Sequence, residues 1–493
     1  MLIKNDPDII NSFLEDYSNI KGGFCSAVFF PETEDELISA LKASSSAGTP
    51  VTISGAGTGV AGARIPFGGK VISLSKLNRI KYIRPFAKSD GHVLAEAGVV
   101  LGDLIDVVEA KGFFYPPGPT EKASFIGGNV ATSASGARSL KYGTTRDFVL
   151  GLRVILADGE VLDLERGRYI AKKRVLKLVT TLGKAITLKL PGYTMPNVKN
   201  ASGYYIADDM DAVDLFIGQD GTLGVISEIK LRLVNKPYGI LDCYAFFNKR
   251  EDAVEFVHNA KVNSADNLSP VSALSLEYLG QHALELLSGR HKNIPSYAKA
   301  AIYFEQEFAK GKEDGIINSW AGLITKCHGL LEETWFAQTP AEREKLVEIR
   351  HDLPDMVNEY LKKNNFAKIG TDIAVEDKDL EVMLECYHST LTKAGLGYLI
   401  FGHIGESHMH VNILPKDNAE YTKAMEAYEI LVQKAITLGG TPSAEHGIGK
   451  AKHRYLEMLY EKTGILEMVR LKKQLDPRLI LGLGNLFPKE ILT

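Results

Sequence analysis

A glycine-rich segment directly after a predicted strand constrains the fold of this chain more than any other feature. The run VTISGAG begins as a strand and leads into the glycine-rich segment, which reads SGAGTGVAGARIPFGG from Ser54. Glycines after a strand also open the dinucleotide-binding βαβ unit, but that unit needs a long amphipathic helix next. Here Pro66 and two further glycines follow within a few residues, and another strand begins near Val71. We therefore expect a loop whose backbone N–H groups converge on an anion, with a glycine-rich turn that holds no ligand as the alternative.

Two further segments in the first half of the chain are also rich in small residues. They are YPPGPTEKASFIGGNVATSASGARSLKYGTTRDFVLG and FIGQDGTLGVISEI. Small side chains let the backbone approach a large flat ligand, and Ser, Thr and Asn can hydrogen-bond to its polar edge. Three such segments are difficult to explain as turns alone.

The pattern of predicted elements changes twice along the chain. A chain of 493 residues is too long for one hydrophobic core. Short β-rich runs alternate with glycine turns up to about residue 235, and longer helices alternate with strands up to about residue 435. Glycine turns and an amphipathic helix follow. We predict an α+β protein with domains at 1–235, 236–435 and 436–493.

Composition argues against several classes of protein. The net charge of −4 argues against a general nucleic-acid binder. The four cysteines (Cys25, Cys243, Cys327 and Cys386) form no CxxC pair, so neither a disulfide framework nor an iron–sulfur site is expected. No apolar run reaches the ~18 residues that span a bilayer. We expect a cytoplasmic protein, and peripheral contact with the inner face of a membrane stays open.

A basic stretch separates the second and third small-residue segments. It contains nine Lys or Arg and no Asp or Glu: Arg166, Arg168, Lys172, Lys173, Arg174, Lys177, Lys184, Lys189 and Lys199. A solvated loop or hairpin is one interpretation, and a docking patch for an acidic partner or an anionic membrane surface is the other.

Histidines cluster in the segment LIFGHIGESHMHVNILP. His408, His410 and Asn412 alternate with apolar residues, so they share one face of a predicted strand. His403 lies on the other side of a bend that the nearby glycines permit. A structural role for these histidines is the alternative to a chemical one.

A second segment, GGTPSAEHGIGKAKHRYL, presents Glu445 and His446 between glycine turns. Two neutral imidazoles and a carboxylate suit Zn²⁺ or a similar divalent ion and leave positions for a substrate. The two segments together therefore predict a metal-assisted site.

Long blocks of the chain resemble the PCMH-type FAD-binding proteins of the vanillyl-alcohol-oxidase superfamily, in the D-lactate, glycolate and D-2-hydroxyglutarate dehydrogenase branch. The blocks are PPGPTEKASFIGGNVATSASGARSLKYGTTRD, LGLRVILADGEVL and KNASGYYIADDMDAVDLFIGQDGTLGVISEIKLRL. The resemblance implies a two-subdomain FAD-binding domain, an α+β substrate or cap domain with an antiparallel sheet, and a C-terminal helical segment. That last segment would complete the active site and pack on the FAD domain.

The resemblance implies FAD bound noncovalently, since the glycine loop lacks the histidine through which some relatives attach it. The pyrophosphate would lie on Ser54, Gly55, Ala56, Gly57, Thr58 and Gly59. The flavin would contact Pro117, Gly118, Thr120, Gly127, Gly128, Asn129, Ser133, Gly136 and Tyr142. Gly221, Gly224 and Ile226 would lie near the adenine and ribose.

The resemblance also implies how the substrate is oxidised. The metal ligands of the branch correspond to His403, His410 and Glu445, and its catalytic base corresponds to His446. A substrate-contacting residue corresponds to Asn412, and the arginine that binds the substrate carboxylate corresponds to Arg350. The planar guanidinium suits a carboxylate because it can bind both oxygens. The implied reaction is metal-assisted oxidation of a small D-2-hydroxy acid to the 2-oxo acid, with hydride transfer to the flavin.

Some positions depart from the pattern of the branch. Where relatives have a GDGNLH-like run, this chain has GESHMH, which adds His408 as a hydrogen-bond donor behind a metal ligand, an alternative ligand or an acid–base group. A threonine and a lysine of 2-hydroxyglutarate enzymes fall on Pro354 and Gly370, although Lys368 lies close enough to compensate. These departures favour a D-lactate-like substrate and leave D-2-hydroxyglutarate and glycolate as alternatives.

Electrons must leave to an external acceptor, because the sequence has neither iron–sulfur ligands nor a nicotinamide fold. A quinone, a cytochrome, an electron-transfer flavoprotein and oxygen are the candidates, and a homodimer stays open. Three other functions compete: an accessory FAD subunit, a superfamily enzyme of different chemistry, and a nonflavin metallohydrolase. The last leaves the first 235 residues unexplained.

Overall fold

The computed structural model describes residues 1–86, 90–337, 339–366 and 369–492. The strands are β1 Leu2–Lys4, β2 Ala27–Phe30, β3 Val51–Ser54, β4 Lys70–Ser73, β5 Ile80–Pro85, β6 Asp90–Glu96, β7 Phe113–Phe114, β8 Val149–Ile155, β9 Val161–Glu165, β10 Val175–Val179, β11 Ala185–Lys189, β12 Val225–Asn235, β13 Gly239–Phe247, β14 Ser275–Gly280, β15 Ala300–Phe308, β16 Trp335–Ala337, β17 Ile373–Ala374, β18 Tyr398–Gly402 and β19 His408–Ile413. The helices are α1 Pro7–Asn11, α2 Glu34–Ala47, α3 Leu101–Glu109, α4 Ile126–Ala131, α5 Ser139–Tyr142, α6 Thr145–Phe148, α7 Ala212–Phe216, α8 Arg250–Ala265, α9 Gln281–Leu287, α10 Glu313–Lys326, α11 Pro340–Lys363, α12 Leu380–Ala394, α13 Asn418–Thr437 and α14 His453–Leu475. Short 3₁₀ helices cover Leu331–Glu333, Asp377–Asp379, Ile404–Glu406 and Lys489–Leu492.

Helix ends follow capping residues in the sequence. The side chain of Thr33 accepts a hydrogen bond from the backbone of Glu36, and Gly48 ends α2 at a φ of 62°. Thr339 and Glu342 form a reciprocal capping box at the start of α11. Within the described ranges, no helix is both long and apolar enough to cross a membrane.

Two compact units divide the chain, and neither is one continuous segment. The first unit comprises Met1–Ser135, Thr144–Asn235 and Pro442–Thr493. The second comprises Gly136–Gly143 and Lys236–Thr441. The C-terminal helix α14 therefore belongs to the first unit, and α5 belongs to the second.

The first unit contains two main sheets and a separate hairpin. One sheet has the order β1-β2-β4-β3, with β2, β4 and β3 parallel. The other is antiparallel in the order β5-β6-β12-β8-β9, and β7 also pairs with β12. Strands β10 and β11 form a separate two-stranded sheet. The mixture of helices and sheets in this unit confirms the predicted α+β fold class.

The second unit contains one antiparallel sheet in the order β16-β13-β15-β14-β18-β19-β17. Alternate residues of its strands pack on opposite sides. Tyr244 and Tyr303 join a buried cluster that includes Leu353 of α11. Phe304, the neighbour of Tyr303, stacks on Trp320 of α10 with ring centroids 4.0 Å apart. The predicted antiparallel sheet of this region is confirmed, and helices cover both of its faces.

Candidate functional site

The glycine loop of the first unit follows β3 at the carboxyl end of a parallel pair. Strands β3 and β4 end in register at Ser54 and Ser73. The loop then turns through Gly57, whose φ of 88° suits glycine. A cavity of about 250 Å³ lies here, lined by Ser12, Phe13, Gly55, Ala56, Arg64, Ser73, Ser75 and Phe125. The carboxyl ends of parallel strands are a common place for nucleotide ligands.

The three small-residue segments meet in this unit. A Cβ atom added to Gly55 would lie 4.0 Å from the Cα atom of Gly128. The backbone N–H of Asp220 donates to the carbonyl of Ala131 at the end of α4, over 2.8 Å. The segments that sequence patterns grouped by composition are therefore neighbours in space.

The predicted FAD glycines fall into two groups. Added Cβ atoms at Gly127 and Gly224 would lie 2.5 Å from Ala97 and Val154, so these two glycines allow close packing of the protein itself. At Gly128, an added Cβ would meet no described atom within 4 Å. Open space beside bare backbone is what a large flat ligand requires, so this part of the unit fits FAD.

The other predicted FAD residues differ in their exposure and in the unit to which they belong. Ser54, Pro117, Asn129, Ser133 and Ile226 are buried; Gly55, Ala56, Gly57, Thr58, Gly118 and Gly221 are half-buried; Gly59 and Thr120 are exposed. Gly136 and Tyr142 belong to the second unit, where the Tyr142 hydroxyl donates to Glu307. The flavin contacts assigned to these residues stay predictions.

Arg64 is a cation in the glycine loop that the sequence patterns did not single out. Its Nη1 atom occupies space only 1.8 Å from where a Cβ of Gly57 would lie, and its Nη2 atom donates to the Ser12 carbonyl over 2.6 Å. Burial lowers the pKa of the Arg64 guanidinium, and the nearby Asp16 partly opposes this. The signal was available, since an arginine within a predicted anion-binding loop supplies the matching charge.

Glu445, in the first unit, is buried against a lysine. Its Oε2 atom lies 2.8 Å from Lys199 Nζ and accepts a hydrogen bond from Ser135 Oγ over 3.3 Å. Lys199 is itself almost fully buried, so the pair is shielded from water. The sequence had placed Lys199 only in the basic stretch, because nothing local reveals a partner 246 positions later in the numbering.

His446 lies in a loop that Asp220 fastens. Asp220 Oδ2 accepts hydrogen bonds from the backbone N–H groups of Ile448 and Gly449, over 3.2 and 2.9 Å. The His446 side chain is 26% exposed, and its Nε2 atom lies 3.9 Å from Glu445 Oε1. The ring is therefore accessible to a substrate while the loop around it is fixed.

In the second unit, three histidines come together at the end of the β18–β19 hairpin. Phe401 of β18 pairs with His410, and the 3₁₀ helix Ile404–Glu406 forms the predicted bend. The ring centroids of His403, His408 and His410 lie 4.6 to 5.4 Å apart. Each ring offers one nitrogen, and these nitrogens lie within 4.8 Å of one another.

Each of these rings has a hydrogen-bond acceptor behind it. The acceptors are Glu277 Oε1 for His403 Nδ1 (2.5 Å), Asp372 Oδ1 for His408 Nε2 (2.9 Å) and the Thr371 carbonyl for His410 Nδ1 (3.3 Å). An acceptor of this kind fixes the tautomer and directs the other nitrogen toward a metal. The donor set therefore fits a divalent transition metal such as Zn²⁺.

Glu277 connects the histidines to Arg350 of α11. Arg350 Nη2 lies 2.8 Å from Glu277 Oε2, and both side chains are mostly buried. Burial alone would raise the pKa of Glu277, but the charges of Arg350 and His403 lower it to about 2. Glu277 therefore carries a negative charge that holds the Arg350 guanidinium in place.

Asn412 lies on the same strand as His410 and is buried. Its Oδ1 atom has no hydrogen-bond partner among the described residues. A buried amide oxygen without a hydrogen-bond donor destabilises the folded protein unless a ligand supplies the donor. This fits the predicted substrate contact. Gly370 forms a β-bridge with Asn412, Pro354 lies inside α11, and Lys368 lies outside the described residues.

The basic stretch divides into paired and exposed residues in the first unit. Four of its members form ion pairs: Arg166 with Asp214, Arg174 with Asp208, Lys184 with Asp158, and Lys199 with Glu445. The other five, Arg168, Lys172, Lys173, Lys177 and Lys189, are exposed, as is Lys184. They lie on or beside the β10–β11 hairpin, whose turn exposes Leu182.

Comparison with known proteins gives a family match in each half of the chain. Residues 25–165 match the model of the FAD binding domain, and residues 244–486 match that of the C-terminal domain of FAD linked oxidases. The glycolate oxidase subunit GlcD of Bacillus subtilis is 31% identical over 94% of this chain and 89% of its own length. The chain belongs to the family of FAD-linked oxidases with a PCMH-type FAD-binding domain.

Other relatives extend this comparison. A D-lactate dehydrogenase of Anaerostipes hadrus is 28% identical over 97% of this chain and 93% of its own length. A D-2-hydroxyglutarate dehydrogenase of Xanthomonas citri is 26% identical over 98% and 94%. FAD is therefore the cofactor, and the chain is an FAD-linked oxidoreductase in the class that acts on CH–OH groups.

Solved structures share the fold at low identity. A 4-ethylphenol oxidase from Gulosibacter chungangensis superposes with a TM-score of 0.70 over 99% of this chain and 95% of its own, at 15% identity. An alkyldihydroxyacetonephosphate synthase gives 0.67 over 97% and 82%, also at 15% identity. At this identity the likeness describes the fold and not the reaction.

Proposed function

We propose that this protein is an FAD-dependent dehydrogenase that oxidises a small D-2-hydroxy acid, D-lactate or a close analogue, to the 2-oxo acid. The observation that carries the proposal is the grouping in the second unit of a mostly buried arginine, an amide oxygen that has no partner among the described residues, and three imidazoles. Arg350, Asn412 and the histidines supply the groups that a carboxylate and its neighbouring hydroxyl need. The names of the relatives, glycolate oxidase and D-lactate dehydrogenase, support the same class of substrate.

Arg350 would anchor the substrate carboxylate. Its charge is matched by Glu277, so the side chain is already held in one orientation before substrate arrives. Pre-oriented groups reduce the entropy that binding and reaction must overcome. A guanidinium has five N–H donors, which leaves capacity for a carboxylate beside Glu277.

His446 would accept the proton of the 2-hydroxyl. General-base help of this kind is worth roughly 10²–10⁴-fold in rate. The partly exposed ring and the loop fastened by Asp220 suit the role, because a base must be reachable and well placed. Asn412 would orient the substrate through its buried side-chain amide.

Two cofactors complete the proposed reaction. When bound, noncovalent FAD supplies the hydride acceptor, and a divalent metal, Zn²⁺ as the first choice, supplies a Lewis acid that favours the ionised hydroxyl. His403, His410 and Glu445 are the proposed metal residues. For the pyrophosphate we add Arg64 to the glycine loop, on the strength of its position beside Gly57.

The substrate side chain is proposed to be small. A second carboxylate, as in D-2-hydroxyglutarate, would need a further cation, and Pro354 and Gly370 supply none. D-2-Hydroxyglutarate and glycolate stay as alternatives. Electrons would pass to an external quinone, cytochrome or electron-transfer flavoprotein, at or near the inner face of a membrane.

Replacement of His446 by alanine tests the proposed base. We expect His446→Ala to retain FAD, because the residue lies outside the cavity beside the glycine loop. Reduction of the flavin by substrate should slow by roughly 10²–10⁴-fold. Stopped-flow absorbance under anaerobic conditions measures both flavin content and reduction. His388→Ala, at a histidine in a separate cavity lined by Tyr398, is the control. A reduction rate for His446→Ala equal to that of the wild type would contradict the role.

A further inference from the structure

In the run GESHMH, His408 occupies the position of the asparagine in the GDGNLH-like run of the branch that the chain resembles. We propose that His408 is a third imidazole ligand of the divalent metal and binds through Nδ1. The second unit would then supply three nitrogens, from His403, His408 and His410. This inference rests on the metal site of the proposed function and goes beyond the two histidines that the resemblance implies.

Proximity is the first argument. The His408 ring centroid lies 4.6 Å from that of His410 and 5.2 Å from that of His403. A nitrogen of His408 lies within 4.8 Å of the ligand nitrogens of the other two. Small side-chain rotations bring such atoms to the Zn–N distances of about 2.0–2.1 Å found in protein sites.

The hydrogen bond behind His408 is the second argument. Asp372 Oδ1 lies 2.9 Å from His408 Nε2, and both side chains are fully buried. A carboxylate only accepts, so Nε2 carries the proton and Nδ1 keeps the lone pair that a metal needs. Glu277 stands in the same relation to His403. A carboxylate behind the ring is the usual arrangement for a metal-binding histidine, because it orients the ring and raises its basicity.

The backbone holds this pair rigidly. His408 and His410 are separated by one residue on β19, so their side chains leave the same face of the strand. Asp372 immediately precedes β17, and β17 pairs with β19 through Ala374 and His408. Both members of the carboxylate–imidazole pair are therefore fixed by neighbouring strands of one sheet.

A purely supporting role for His408 makes a different prediction. A supporting residue would donate to a ligand and leave the metal with two imidazoles. If Asp372 were the metal ligand and His408 only donated a hydrogen bond to it, the metal would also have two imidazole ligands. Counting imidazoles on the bound metal therefore separates the proposal from both.

A third imidazole also changes which metal is preferred. Nitrogen-rich sites favour Zn²⁺, Co²⁺ and Cu²⁺, whereas carboxylate and water ligands suit Mn²⁺ and Mg²⁺. Removing the ring should weaken zinc binding by about tenfold or more, since loss of residues behind the ligands alone costs about 10–100-fold. Manganese binding should change less.

Zinc K-edge X-ray absorption of the zinc-loaded flavoprotein tests the proposal directly. We expect three imidazoles on zinc in the wild type, two in His408→Asn and three in the control His388→Asn. Competition with a chromophoric chelator measures the accompanying loss of zinc affinity. If His408→Asn misfolds, the count in His446→Ala tests the same point, since three imidazoles on zinc in that variant cannot include His446.

The two ways of failing are distinguishable. Two imidazoles in the wild type, or equal zinc affinity in the wild type and in His408→Asn, would overturn the role of His408 alone. A folded, FAD-loaded protein that takes up no zinc would overturn the proposed metal site and this inference with it.

Discussion

Single buried charges define the candidate chemistry at the scale of residues. Glu277 contacts both His403 and Arg350, and Lys199 contacts Glu445. The histidines and Glu445 were found from the motifs in which they lie, and Arg350 was found only through the resemblance to the dehydrogenase branch. Glu277 and Lys199 were missed because their roles depend on partners far along the chain, which no local pattern encodes.

Asp220 gives a prediction about pH and stability. Burial raises the pKa of Asp220 from 3.8 to about 6, although two backbone hydrogen bonds oppose it. A carboxyl with a raised folded pKa prefers its neutral form, so its contribution to stability is present below pH 4 and is lost as pH rises through 6. We expect Asp220→Asn, whose side chain stays neutral, to avoid this loss.

Urea unfolding at pH 4 and pH 8 measures the effect. Relative to the wild type, the free energy of unfolding of Asp220→Asn should increase between these pH values by on the order of 3 kcal/mol. The comparison cancels groups that titrate in both proteins. A difference between the two proteins that stays constant with pH would show that Asp220 keeps an ordinary pKa.

Gly128 gives a prediction about the cofactor. An added Cβ atom would meet no described protein atom within 4 Å, so Gly128→Leu should fold but lose most of its FAD. The ratio of flavin to protein absorbance measures the loss, and circular dichroism checks the fold. Gly322→Leu is the matched control, because Gly322 is also a helical glycine with open space but lies on α10. Full FAD content in Gly128→Leu would place the flavin elsewhere.

Two hairpins carry the features that matter at the scale of elements. The β18–β19 hairpin groups three histidines, and alternation along β19 was sufficient to predict which side chains share a face. The β10–β11 hairpin carries exposed lysines from the basic stretch. Sequence alone could not divide that stretch, because the acidic partners of its paired members lie outside it, from Asp158 to Glu445.

The exposed lysines of the β10–β11 hairpin give a prediction about the electron acceptor. If they dock an acidic partner or an anionic membrane, replacing Lys172, Lys173 and Lys177 by glutamine should slow turnover with the native acceptor. Turnover with a small dye should not change. The control replaces three exposed lysines of the second unit, Lys292, Lys310 and Lys312. Equal losses with dye and native acceptor would remove the docking interpretation.

At the scale of the whole molecule, each unit is built from more than one segment of the chain. The sequence predicted an FAD-binding part, an antiparallel substrate part and a C-terminal helical part, because periodicity and glycine content change near residues 235 and 435. It did not predict that Gly136–Gly143 joins the second unit. In sequence, that segment is continuous with the small-residue block around it. Its place in the second unit depends on tertiary contacts, such as the ion pair between Arg138 and Glu305.

Anaerobic reduction of the bound flavin tests the central proposal most directly. The purified holoprotein is mixed with D- and L-lactate, glycolate and D- and L-2-hydroxyglutarate, and absorbance in the flavin bands is followed. We predict rapid bleaching by D-lactate, slower bleaching by glycolate and D-2-hydroxyglutarate, and none by the L-enantiomers. A flavin that stays oxidised with every 2-hydroxy acid, or that is reduced equally by both lactate enantiomers, would contradict the proposed function.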